Sequence, residues 1–359
     1  MSTSNRDHLF DNLKGLLIFC VVLGHLIQFP RGKTDPWIGH LYTAIYLFHM
    51  PLFVFISGYF SKRLRFKRTM ELFFVYSLWQ VVISPILLSF GTGQTYSDVA
   101  TSVFSPTNHH WYLFSLVTWR LLLPLVTRIK GVFWWSCLIG LLFGLCPMLE
   151  MWSPASADQS FLSISRTLGF FPFFLWGYSF TPDHVQHLRQ RLHPLLAGAL
   201  FLLFVMGGWW SLQQHVDVFI KPSMINKILF MREGYAAFLN NPLWGVGLRG
   251  SLYLLQFALI LCALGACPAT LTKWARFGKH SFFIFLSHCP LILILKVLYF
   301  NHQTAFNAWY VFIGGFVVTL LYCQFCCTKP MISLANRLTT LPSFKANKNS
   351  STPQPQTAA

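Results

Sequence analysis

The chain has 359 residues, of which 54% are apolar, 17% aromatic and only 10% charged, with a mean hydropathy of +0.52. A soluble globular chain carries about 25% charged residues, so this composition excludes a disordered protein, a secreted disulfide scaffold and an ordinary soluble enzyme, and leaves a polytopic α-helical membrane protein. The net charge of +17, from 27 basic and 10 acidic residues, is read as topological and not as a sign of nucleic-acid binding, because Lys and Arg gather in the cytoplasmic loops of membrane proteins.

About 20 apolar residues cross the hydrocarbon core as a helix. Ten spans are predicted, at residues 13–29, 40–60, 69–90, 110–126, 132–151, 161–180, 195–212, 251–271, 281–299 and 308–327. With the N-terminus placed inside and the sides alternating, 17 basic residues fall in inner segments, six in outer loops and four within spans. That split predicts an all-α fold of about ten transmembrane helices with both termini cytoplasmic. The outer loops include the long segment 213–250 with Arg249. The first span carries Lys14 and His25 and no A-x-A site follows it, so it is read as a retained helix and not a cleaved signal. Residues 1–330 are expected to form one transmembrane unit. Residues 331–359 are expected to be a cytoplasmic, largely disordered tail, rich in Ser, Thr, Pro, Gln and Lys from 341 onward. The nine cysteines lie mostly in apolar stretches and are read as buried thiols, and no metal is expected. Any chemistry must then sit among the spans.

Ionisable groups inside spans cost free energy and are functional suspects. Lys14 and His25 are eleven residues apart, about three helical turns, so they share a face and lie about 16 Å apart along the axis. That geometry suits a long ligand with an anionic head and a reactive end. The plainer reading, a snorkelling lysine and a packing histidine, stays open beside it. In the second span His49 falls near mid-membrane. Pro51 loosens the helix beside it, and broken helices at that depth usually line protein cavities. An imidazole with an ordinary pKa of about 6.5 can take and return a proton near neutral pH. The basic run 61–68 that follows is either a topology signal touching anionic lipid or a cradle for the phosphates of a cytosolic cofactor. Asn108-His109-His110-Trp111-Tyr112-Leu113 opens the fourth span, with Arg120 about 15 Å deeper. Arg166 lies in the sixth span, and His288 stands one residue before a Cys-Pro pair.

Together these residues resemble the membrane-bound acyltransferase family 3, in particular its fucose 4-O-acetylase-like branch of sugar O-acetyltransferases. Four segments carry the resemblance, in family order: Lys14-x10-His25 with Gly24; Phe48-His-Met-Pro-Leu-Phe-Val-Phe-Ile-Ser-Gly-Tyr59; His110-Trp-Tyr-Leu113 through Arg120; and Gly278-Lys-His-Ser-Phe-Phe-Ile-Phe-Leu-Ser-His288. The family's Arg-x10-His pattern stands here with Lys14 in the Arg position. The resemblance implies a ten-helix enzyme that takes an acyl group, usually acetyl, from cytosolic acyl-CoA and transfers it to a hydroxyl of an extracytoplasmic or lipid-linked glycan.

On this expectation acetyl-CoA is the donor. Lys14, Arg63, Arg65 and Arg68 hold its phosphates. His25 is the general base, with His49 orienting it, sharing the proton or serving as the base itself. Arg120, His110, Trp111 and Ser57 support the oxyanion or the acceptor, with an acyl-enzyme on Ser57 or histidine left open. The expected partners are acyl-CoA, the glycan or lipid-linked sugar acceptor, membrane lipids and polysaccharide-assembly proteins, with no nucleic acid. The rival readings are a transporter or flippase of a lipid-linked or anionic glycan, whose path Lys14, Arg120 and Arg166 would line, and a scaffold without activity.

Overall fold

The computed structural model describes residues 8–83, 104, 106, 110–146, 161–214, 225–237, 239, 241–298 and 305–339. Among the described residues there is no β-strand. The principal helices are α1 (Leu9–Gln28), α2 (Pro36–Tyr59), α3 (Phe66–Leu78), α4 (Trp111–Val126), α5 (Val132–Leu142), α6 (Ile164–Ser179) and α7 (Pro182–Arg191). They are followed by α8 (Pro194–Gln214), α9 (Ile225–Phe230), α10 (Trp244–Ala266), α11 (Trp274–Lys279), α12 (Ser281–Leu298), α13 (Ala308–Cys326) and α14 (Lys329–Thr339). Starts are marked by local chemistry. Pro36 occupies the first turn of α2, where no N–H is needed. Thr181 and His184 form a reciprocal cap on α7. The Asn307 side-chain oxygen accepts from the Trp309 and Tyr310 amides at the head of α13.

Six helices, α1, α2, α8, α10, α12 and α13, are long and apolar enough to cross a membrane, and α4 and the stretch Val132–Leu145 are shorter apolar helices. The protein is therefore an all-helical, multi-pass membrane protein. The expected spans 69–90 and 132–151 both run on into residues outside the described set. Their described parts are α3, continued by a π-helical turn at Trp79–Ile83, and α5, continued by a 3₁₀ turn at Phe143–Leu145.

Hydrogen bonds and ring contacts gather the basic residues at one end of the bundle. Phe10 at the start of α1 stacks on Tyr59 at the end of α2, with centroids 4.3 Å apart. The Lys62 ammonium donates to the carbonyls of Gly177, Tyr178 and Phe180 at the end of α6. Arg189 Nη1 donates to Leu264 O at 2.9 Å and Cys267 O at 2.6 Å, at the end of α10. Arg276 Nη2 donates to Cys327 O at 2.8 Å, beyond α13. These side chains satisfy carbonyls that a helix end leaves without an internal partner. Successive helix ends thus meet at this basic end.

Two crossings have no side chain between the backbones. A Cβ on Gly58 would stand 1.9 Å from Phe174 O, and one on Gly177 would stand 2.0 Å from Phe55 O, so α2 and α6 touch directly. Gly15 and Gly278 make the same kind of contact between α1 and α11, with a Cβ on Gly278 landing 1.8 Å from Asp11 O. In a bilayer, where lipid offers no hydrophobic drive between helices, such close approach is what holds them.

Three expectations need correction. The segment 213–250 is not simply an outer loop: α9 and the turn after it enter the core, where Ile228, Met231 and Tyr235 have no exposed surface. Arg249 is not in a loop either. It lies on α10, 1% exposed, with Nη1 donating to Gly140 O at 3.0 Å and the guanidinium over the Tyr235 ring. Residues 331–339, expected in a disordered tail, belong to α14, which packs against α3 with Ala335 buried. The cysteines Cys323, Cys326 and Cys327 are buried thiols, although Cys323 and Cys326 have a C-x-x-C spacing that the sequence reading passed over. Among the described residues no group of three His, Cys, Asp or Glu is placed to hold a metal.

Candidate active site

A cavity of about 100 Å³ lies between α1, α2, α4, α6 and α12, walled by His25, Gln28, Tyr46, His49, Trp111, Arg166 and Phe285 among others. His25 and His49, predicted from separate spans, face this one space because α1 and α2 run side by side. His25 Nδ1 lies 3.1 Å from Gln28 Oε1 and 3.1 Å from the Tyr46 hydroxyl. An amide oxygen only accepts, so Nδ1–H donates to Gln28 and Nε2 becomes the basic nitrogen. The His49 ring bonds through Nδ1 to Ile45 O at 2.8 Å, and the His288 ring through Nδ1 to Phe285 O at 2.5 Å. A carbonyl likewise only accepts, so both rings keep Nε2 as the basic nitrogen. His25 and His288 stack with centroids 5.4 Å apart, and Tyr46 stands edge-on to His49 at 4.4 Å.

At the basic end a second space of about 580 Å³ is lined by Ser61, Arg63, Arg65, Arg68, Thr69 and Arg120, with Phe60 and Leu123. The three arginines predicted to bind phosphate are thus together. Lys14 flanks them, with its ammonium over the Phe60 ring at 5.3 Å and paired with Asp11 Oδ1 at 3.0 Å. Lys62 belongs to the same run but is spent on the α6 carbonyls, and burial lowers its pKa.

The two spaces lie toward opposite ends of the second half of α2. His49, Phe53 and Ser57 recur every four residues along about 12 Å of α2, and Ser61 follows in the turn just beyond its end. His49 faces the cavity, and Ser61 accepts from Arg120 Nε at 3.2 Å in the basic pocket. Tyr112 stands between them. Its hydroxyl meets Ser57 Oγ at 2.5 Å, and its ring packs edge-on against Phe53 at 6.0 Å and Phe285 at 5.4 Å.

Arg120, expected beside the reacting histidine, is therefore in the basic pocket instead: at the α4 position nine residues below Trp111 it has descended about 14 Å. Arg166 faces the histidine cavity, with its guanidinium 5.1 Å from the Trp111 ring. Trp111 is in the cavity wall, stacked on Phe170 at 5.2 Å. His110 is buried, and neither ring nitrogen meets a hydrogen-bond partner among the described residues. Ser57 is midway between the two spaces. Tyr46 and Tyr112 were not singled out as site residues, since a tyrosine in an aromatic-rich span carries no distinguishing signal. His288 was noticed beside its Cys-Pro pair but not assigned a role.

A multi-pass helical bundle thus carries imidazoles at an internal cavity and an arginine pocket at its basic end. The chain belongs to the acyltransferase 3 family: the family model, described as an acyltransferase domain, matches residues 7–327. Among curated proteins it is similar to nodulation protein NolL of Sinorhizobium fredii, 28% identical over 218 residues, covering 56% of this chain and 55% of that protein. It is also similar to nodulation protein NolL of Mesorhizobium japonicum, 28% identical over 230 residues, covering 58% and 57%. The matches thus span a little over half the length of these relatives. No solved structure matches.

Proposed function

We propose that the protein is a membrane O-acyltransferase of the fucose 4-O-acetylase-like kind, which moves an acetyl group from cytosolic acetyl-CoA to a hydroxyl of a cell-surface or lipid-linked glycan. The observation that carries this reading is the joint placement of His25 and His49 at one cavity, with His288 stacked on His25, and of Arg63, Arg65 and Arg68 in a pocket beyond the end of α2. On this reading that end, with its excess of basic residues, faces the cytoplasm, and the protein sits in a cell membrane with both termini inside.

Arginines at the mouth bind the phosphates of the donor by bidentate bonds, with Lys14 beside them. The thioester reaches the cavity past Tyr112. His25 Nε2 removes the proton from the acceptor hydroxyl as its oxygen attacks the thioester carbonyl. The C–S bond then breaks, and the proton passes to the departing CoA thiolate. Tyr46 and Gln28 hold the imidazole in this tautomer, and His49 and His288 flank it. Arg166, in the same wall, supplies positive charge to the oxyanion of the tetrahedral intermediate.

The test uses purified protein, radiolabelled acetyl-CoA and a panel of glycan acceptors. Wild type transfers label and His25→Ala does not. Equal transfer by both removes His25 as the base. Absence of transfer by wild type, with vesicles moving glycan in the absence of CoA, replaces the enzyme by a transporter.

A further inference from the structure

Away from the histidine cavity, an open groove of about 840 Å³ lies between α11 and α13 at the basic end. Its walls carry three cations, Lys273, Arg276 and Lys279, beside the apolar Phe277, Leu321 and Phe325, and among the described residues no acidic one lines it. The apolar part continues. Ile313, Val317, Leu321 and Phe325 recur every four residues on α13 and are 46–59% exposed, so they form one unpacked ridge leading away from the cations. Twelve residues of helix make this ridge about 18 Å long, comparable to the roughly 15 Å depth of one leaflet of the hydrocarbon core.

We propose that this groove holds the phosphate head group of an anionic phospholipid, with an acyl chain laid along the α13 ridge. A soluble anion matches the cations but leaves the ridge uncovered. A neutral lipid covers the ridge but leaves the three cations without a counter-charge. An anionic lipid meets both, because its charge and its chain are joined in the order in which the groove presents cations and apolar surface. Arg276 is already fixed by its bond to Cys327 O at 2.8 Å, so its charge is held in place before any ligand arrives. The positive field there is also felt by the neighbouring His280, whose pKa is lowered by burial and by Arg276 and Lys279. The groove is separate from the arginine pocket: α1 packs on α11 from the other side, through Gly15 and Gly278.

The full chain, purified in neutral detergent, is incubated with phosphatidylglycerol or phosphatidylcholine of the same acyl chains, and retained lipid is counted by native mass spectrometry. Phosphatidylglycerol should be retained in preference, and millimolar inorganic phosphate should not displace it. Lys273→Gln combined with Lys279→Gln should weaken that retention about thirty-fold. Both lysines are exposed, and Arg276, which ties down a backbone carbonyl, is left in place, so the variant is expected to keep the wild-type melting midpoint in phosphatidylcholine. Equal retention of the two lipids overturns the proposal, as does undiminished phosphatidylglycerol binding by the double variant. Complete displacement by inorganic phosphate also overturns it, in favour of a site for soluble anions.

Discussion

Replacing Gly58 by alanine should damage both stability and catalysis, although Gly58 touches no reacting group. The new methyl would stand 1.9 Å from Phe174 O, 2.8 Å from its carbonyl carbon and 3.0 Å from the Tyr178 amide nitrogen, where ordinary contact begins at 3.4 Å. All three atoms are backbone, so no side chain can swing away, and α2 and α6 must part by about 1.5 Å. Overpacking of this kind typically costs about 1–3 kcal/mol. The same displacement reaches the cavity, because α2 carries Tyr46 and His49 to it and α6 carries Arg166 and Phe170. A shift of about 1 Å in a catalytic constellation can cost about 10²-fold in rate. The measurements are the thermal midpoint in detergent and acetyl transfer from labelled acetyl-CoA. Gly39→Ala is the control, since a methyl there meets nothing within 4 Å on the same helix. A Gly58→Ala protein that melts and turns over like wild type would refute the reasoning, and so would a Gly39→Ala protein that falls as far.

Further outcomes follow from the same geometry. His25→Gln should lower acyl transfer by about 10²–10⁴-fold, the usual contribution of a general base, with the melting midpoint retained. Arg63, Arg65 and Arg68 changed together to Gln should raise KM for the acyl donor by about tenfold or more while kcat moves less, as read from initial rates against donor concentration. Ser57→Ala should keep acyl transfer within about tenfold of wild type, because no general base adjoins its hydroxyl. His280 has its pKa lowered from 6.5 by burial and by the cations Arg276 and Lys279. The unfolded chain therefore binds the proton more readily, and stability should fall as pH drops through about 6.5 and level off below the folded value. Lys279→Gln should raise the folded pKa in an NMR titration and soften that loss.

The membrane class and most of the long helices were legible because apolar runs and basic intervals are linear signals. The pairing of His25 with His49 was legible for a related reason: two spans joined by a short connection lie side by side, so polar residues at matching depth meet. Arg120 was misplaced because helical rise gives depth but not the level at which a neighbouring cavity ends. Arg249 was misplaced because a charge was taken to mark a loop. Its helix instead starts at Trp244, and the cost of burial is met in part by the Gly140 carbonyl and the Tyr235 ring. The segment containing α9 was read as an outer loop because six helical residues are too short for a periodicity signal. Gly58 and Gly278 stood within recognised motifs, yet their role is helix contact, which a sequence motif does not distinguish from chemistry.

The surroundings of Ser57 bear on how the acyl group moves. A serine that carries an acyl group needs a base within hydrogen-bond reach to take its proton. Ser57 Oγ donates to Phe53 O at 2.9 Å, so its proton already rests on a backbone carbonyl, and the Tyr112 hydroxyl donates to the same oxygen. Among the described residues no imidazole is its partner, although His49 stands two turns away on the same face of α2. The hydroxyl is thereby committed to Tyr112, which stands between the arginine pocket and the histidines. On the proposed reading of the protein as an acyl-CoA-dependent transferase, the step that admits the donor and the step that transfers the acyl group therefore fall to different residues. On that reading, loss of the Ser57–Tyr112 contact would let the thioester past, and its carbon would meet the acceptor oxygen beside His25 without stopping on serine.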